Sequence, residues 1–199
     1  MPDEMWFQPL VWTDYKLAVI FTVLLPLILL IWAFVKKAEG VQRLLIVYWR
    51  VASLLMITVY LLIPSWPLGF VTGWFARILI PISLWFWVDL NEEIADQPQR
   101  FLRLAVTSWR WATTIYCILG LLATTPALQC ALFPQAKIKS SFCRAWLEAP
   151  WGYGNLVHGG SSPGFLGFMG IVALCIYTIY LAYFILIRLA KQGRSAMEQ

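Results

Sequence analysis

The chain alternates long apolar runs with short polar segments, and the lengths of those runs carry the first inference. A helix that crosses a bilayer needs roughly 20 mostly apolar residues. Leu17–Val35 is uncharged throughout and is closed by Lys36 and Lys37. Leu44–Ile63 follows, interrupted by Arg50, and ends at Pro64-Ser65-Trp66-Pro67-Leu68-Gly69, where prolines and glycine signal a turn. Gly69–Val88 holds Arg77 and Pro81 and stops before Asp89. Leu104–Thr124 holds Arg110 and stops before Pro126. Phe165–Ile187 is closed by Arg188, Lys191 and Arg194, with Ser162 as a plausible N-cap and Pro163 at the first helical position. Only helices and closed barrels satisfy backbone polar groups in lipid. These runs are too long and too evenly apolar for barrel strands, which alternate over about ten residues. The expected fold is therefore all-α. It is an integral membrane helical bundle of about five transmembrane helices, one domain over residues 1–199, with spans at 17–35, 44–63, 69–88, 104–124 and 165–187 and an outer loop at 125–163. The second and third runs could instead form a hairpin that does not fully cross, which would leave three full spans.

Composition agrees with this pattern. Hydrophobic residues make up 61% and charged residues 13% of the chain, against about 45–50% and about 25% in soluble domains. The acidic start, with Asp3 and Glu4, lacks the basic opening of a secretory signal, so the first run is expected to stay as a helix. The net charge of +5 is scattered rather than clustered, which speaks against nucleic acid and for topology and anionic headgroups. With the N-terminus outside, the inner segments hold Lys36, Lys37, Arg43, Arg100, Arg103, Arg188, Lys191 and Arg194. The outer segments hold only Lys16, Lys137, Lys139 and Arg144, so the N-terminus is expected outside or lumenal and the C-terminus cytoplasmic. Trp6, Trp12, Trp66 and Trp74 then fall near the outer boundary, and Trp32, Trp49, Trp85, Trp87, Trp109 and Trp111 near the inner one, as aromatic belts.

Candidate chemistry is sparse. No Asp or Glu lies inside a proposed span, and the only histidine, His158, is in the outer loop. Proton-coupled transport, axial-histidine haem and metal catalysis lose their usual groups, and the sequence carries no nucleotide or nucleophile motif, so no enzyme is expected. Gly160-x-x-x-Gly164 and the glycines at 167 and 170 read as close helix packing. Arg50, Arg77 and Arg110 stand out, because a cation at the centre of a span costs about 2.5–3.5 kcal/mol. Arg50 and Arg110 lie about 9 Å from the inner ends of their runs and could snorkel or pair with Asp89, Glu92 or Glu93. Alternatively, they share a pocket for an anionic lipid or a partner carboxylate. Arg77 lies about 12 Å deep from the other side and is expected to face another helix, of this chain or a partner. In Asp89–Arg103 the acids follow the third span and the arginines precede the fourth, a placement that helps neither helix dipole. In the outer loop, Cys130 and Cys143 are a candidate disulfide, and Trp146 and Trp151 are candidate partner contacts.

The segments LVWTDYKLAVIFTVLLPLILLIWAFV, VYWR and YLAYFILIRLAKQGRSA resemble a family of small uncharacterised multi-pass membrane proteins of cyanobacteria. The resemblance implies a photosynthetic host and a thylakoid or plasma membrane, and carries over no functional residue. The expected function is a non-catalytic interaction protein, an accessory or assembly factor of a larger membrane complex. The alternative is a small transporter, channel or lipid-handling protein using the arginines for an anion. No cofactor is expected, although chlorophyll, carotenoid or lipid would suit the membrane setting.

Overall fold

A computed structural model describes residues 6–132 and 141–195, so Asp3, Glu4, Lys137 and Lys139 lie outside the described residues. The described residues form helices and no strand: α1 (Gln8–Val35), α2 (Glu39–Leu62), α3 (Leu68–Trp85), α4 (Val88–Ala95), α5 (Arg100–Thr124), α6 (Ser141–Val157) and α7 (Pro163–Lys191). Helices α1, α2, α3, α5 and α7 are each long and apolar enough to cross a membrane. The fold is an all-α bundle with the architecture of an integral membrane protein. α2 and α3 form the central antiparallel hairpin, α5 packs on α3, α1 packs on α2 and α5, and α7 lies against α2. The main core gathers Leu44, Leu45, Tyr48, Ile80, Leu84, Leu90 and Val106. It sits toward the end that carries Lys36 and α4, here called the basic end. The other end carries Cys130 and Cys143.

Helix boundaries depart from the hydropathy pattern where tertiary contacts decide them. α1 begins at Gln8 rather than Leu17. Its polar first turns stay helical because they dock on α6: Gln8 Nε2 donates to Glu148 at 2.6 Å, and the Tyr15 hydroxyl donates to the Trp146 carbonyl at 2.9 Å. Asp14 therefore lies in the same continuous helix as the first apolar run, three residues before Leu17. The outer loop is also mostly helical. It holds a 3-10 turn at Thr125–Leu132 and then α6. The third helix ends at Trp85, so Asp89 falls in the first turn of α4, where a carboxylate favours the dipole. Trp87 and Trp109 are core residues rather than belt residues. Gly167 does sit against the turn after α2 and Gly170 against Tyr60 and Leu61 of α2 itself, whereas Gly160 and Gly164 face open space, so that pair is not a packing motif.

Two prolines are accommodated by the same device. Proline inside a helix removes the N–H that would bond the carbonyl four residues back. In α1 the backbone widens into a π-helix over Val19–Leu24 just before Pro26. The Thr22 carbonyl, four back from Pro26, accepts from the buried Tyr48 hydroxyl at 2.8 Å, and the Phe21 carbonyl accepts from Trp109 Nε1 at 2.9 Å. In α6, Pro150 frees the Trp146 carbonyl, which Tyr15 takes. Neighbouring side chains thus replace the missing backbone donors, as a low-dielectric setting requires.

Candidate functional site

The three arginines singled out by sequence occupy three separate settings. Arg77, on α3, donates to the Asp14 carboxylate of α1. The Tyr116 hydroxyl donates to the other oxygen of that carboxylate and to the Asp14 backbone carbonyl, both at 3.1 Å. The guanidinium also lies over the Tyr116 ring, 5.3 Å from its centroid. Gly120 on α5 leaves the room that the guanidinium fills. Arg77 does face another helix, and that helix belongs to its own chain. It neutralises Asp14, the acid at the outer end of the first apolar run.

Arg110, on α5, is buried and serves the end of α3. The last carbonyls of a helix lack intrahelical donors. Here three consecutive ones are taken by side chains from three places. Arg110 donates to the Leu84 carbonyl, Asn91 Nδ2 to Trp85 at 3.1 Å, and Arg194 Nε to Phe86 at 2.9 Å. Arg110 also donates to the Asn91 side-chain oxygen and stacks 4.0 Å from the Trp85 ring centroid. A cation at a helix C-terminus opposes the dipole's negative end. Arg110 therefore pairs with Asn91 rather than with Asp89, Glu92 or Glu93, and its side chain is buried. Arg103 does similar work for α4, donating to the Ala95 carbonyl at 2.9 Å. The charges around α4 thus answer to helix ends. Beyond Arg194 Nε, the segment after α7 also contributes the Arg194 carbonyl, which accepts from the Val88 N–H at 3.2 Å, and Ser195 Oγ, which bonds Asp89. This segment forms a clasp over the break between α3 and α4.

Arg50, on α2, is exposed, and its guanidinium donates to the Tyr180 hydroxyl of α7 at 3.0 Å. It lines a cleft of about 330 Å³ between α2, α3 and α7. The walls are Val47, Leu79, Ile82, Leu181 and Ile185, the floor includes Phe86, Trp87 and Phe184, and Arg188 also borders it.

The disulfide-bearing end forms a cap. Cys130 and Cys143 are joined, with Cα atoms 5.9 Å apart, which ties the Thr125–Leu132 turn to α6. The joined pair packs with Leu62, Phe70, Ala127 and Leu147, and Trp146 and Trp151 lie against this cluster. Trp146 is thus half-buried inside the cap. Trp151 borders a more polar cavity of about 430 Å³ with Ser65, Asn155 and His158. His158 Nε2 and the Tyr60 hydroxyl share a hydrogen bond of 2.8 Å, which ties α2 to the segment before α7.

A family model described as "Protein of unknown function (DUF3177)" matches residues 8–197. The chain belongs to this family. No curated protein and no solved structure matches it. The DUF3177 match runs from the first residue of α1 past the clasp, so it covers all seven helices. Sequence reasoning on this DUF3177 chain found the arginines and missed their partners. Asp14, Asn91 and Tyr180 bond them, and Tyr116 completes the Asp14 site. Asn91 carried no charge to notice, and Tyr116 and Tyr180 sat inside apolar runs. Asp14 had a signal: it lies within one helical turn of the first apolar run, on the same side of the bundle as the unexplained Arg77. Among the described residues, no group of three or more His, Cys, Asp or Glu is placed to hold a metal.

Proposed function

We propose that the protein is a non-catalytic membrane interaction protein, an accessory or assembly factor of a larger membrane complex. The observation that carries this reading is the cap. It is fixed by the disulfide and by the Gln8–Glu148 and Tyr15–Trp146 hydrogen bonds. Yet it presents large apolar side chains outward, with Leu132 and Leu156 each 86% exposed and Trp6 and Val157 beside them in character. A rigid platform with outward apolar groups suits docking against protein at the membrane boundary. Arg77 and Arg110 support the same reading by their occupation, since both are engaged inside the chain and neither lines either of the two cavities described above.

The disulfide supports placing the cap in an oxidising compartment, with the basic end in the cytoplasm, in accord with the Lys and Arg distribution. The resemblance to cyanobacterial proteins supports a thylakoid or plasma membrane and a photosynthetic complex as partner. The alternative reading, anion handling by the arginines, draws less support because the three lie in separate settings. Only its lipid-handling form keeps a feature, Arg50 and its cleft.

The test is affinity purification in mild detergent from the native membrane, with mass spectrometry and a visible absorption spectrum. A stoichiometric set of subunits that is lost in Leu156→Asp, while membrane insertion persists, is the expected result. A partner-free, colourless protein would overturn the proposal. Bound chlorophyll or carotenoid in the eluate would extend it to a pigment complex.

A further inference from the structure

The cleft between α2, α3 and α7 calls for an occupant of particular chemistry. Its walls and floor are apolar, yet Arg50 stands in it with a single hydrogen-bond partner among the described residues, the Tyr180 hydroxyl. A guanidinium has five N–H donors. Arg50 makes no ion pair with a described acid, and no acid among the described residues lines the cleft. Arg50 lies six residues beyond Leu44, where the apolar run of α2 begins, about 9 Å along the axis. An under-satisfied cation at that depth in lipid is costly. Arg188 borders the same space from α7.

Size narrows the choice. At about 330 Å³ the cleft is at the small end of ligand sites. A partner helix, about 10–12 Å across with its side chains, would seat only side chains in such a space. A flexible hydrocarbon chain is thin enough to enter it. A neutral pigment or a zwitterionic lipid would leave Arg50 without a counter-charge. We infer that the cleft between α2, α3 and α7 binds an anionic membrane lipid, with one acyl chain between Leu79, Ile82 and Leu181 and its acidic headgroup held by Arg50. This site is independent of the cap, so it stands or falls apart from the proposed docking function.

The experiment is native mass spectrometry of the full chain released from nanodiscs containing equal parts phosphatidylglycerol and phosphatidylcholine. The expected result is one retained phosphatidylglycerol, favoured over phosphatidylcholine by about fivefold, the effect of one arginine on an anionic lipid. Arg50→Gln should bring that preference close to unity. Ile82→Trp keeps both arginines and fills the cleft, and should lower retention of both lipids. A parallel melting assay in detergent separates lipid from free anion: phosphatidylglycerol should raise the melting temperature and glycerol 3-phosphate should not. Equal retention of the two lipids by the wild type, an undiminished preference in Arg50→Gln, or full retention in Ile82→Trp would each overturn the inference. A response to glycerol 3-phosphate equal to that of the lipid would overturn the acyl-chain seat.

Discussion

Arg77 and Arg110 are both withdrawn from solvent, but removing each exposes a different defect. Arg77→Leu leaves the Asp14 carboxylate in an apolar setting with only the Tyr116 hydroxyl to answer it. Breaking a buried pair in this way costs about 3–5 kcal/mol, whereas replacing both charges by apolar groups is often neutral. We expect Arg77→Leu to lose most of its stability in a detergent unfolding assay, and Arg77→Leu with Asp14→Leu to regain much of it. A double variant no better than the single one would contradict the pairing. Arg110→Lys tests a different property. A lysine keeps the charge but cannot stack flat on Trp85 while bonding both the Leu84 carbonyl and Asn91. The loss of charge-assisted hydrogen bonds, each worth about 1.5–3 kcal/mol, should appear as a lowered melting temperature despite the conserved charge. A wild-type melting temperature for Arg110→Lys would mean that charge alone suffices there.

Elements show why some of the fold was readable and some was not. The five apolar runs were legible because each is long, and the spans follow from run length alone. The starts of α1 and α6 were not, because Gln8–Lys16 and the segment around Glu148 become helical by packing on each other, a contact between distant parts of the chain. The same limit hid the partners of the arginines, since Asn91 and Tyr180 acquire their roles only when α4 and α7 are in place. The proline device is a case between the two. Pro26 and Pro150 announce freed carbonyls, but nothing local says which hydroxyl arrives. A cycle of variants measures it. Tyr48→Phe should lose about 1–3 kcal/mol by orphaning the Thr22 carbonyl. In a Pro26→Ala background, where residue 26 regains an N–H, the same change should cost markedly less. Equal losses in both backgrounds would show that Tyr48 does not serve that carbonyl.

At the scale of the whole molecule, the two ends are held by different means. The cap depends on a covalent link across a short loop, with the cysteines separated by 13 positions. Such a link is worth about 3 kcal/mol in the chain-entropy model. Cys130→Ser with Cys143→Ser, or reductant on the wild type, should therefore lower the unfolding midpoint. It should also open the cap to protease near residue 132 while the spans stay protected. An unchanged midpoint under reductant would show that packing of Leu62, Phe70 and Leu147 holds the cap without the bond. The basic end depends instead on the clasp, where Arg194 and Ser195 bond the Phe86–Asp89 break. These residues follow all seven described helices. During synthesis, the third helix must therefore wait with its last carbonyls only partly served until the end of α7 has left the ribosome. Until then α7 can swing away from α2, and the side of the bundle that it later covers stands open to whatever the bilayer or an assembling neighbour brings to it.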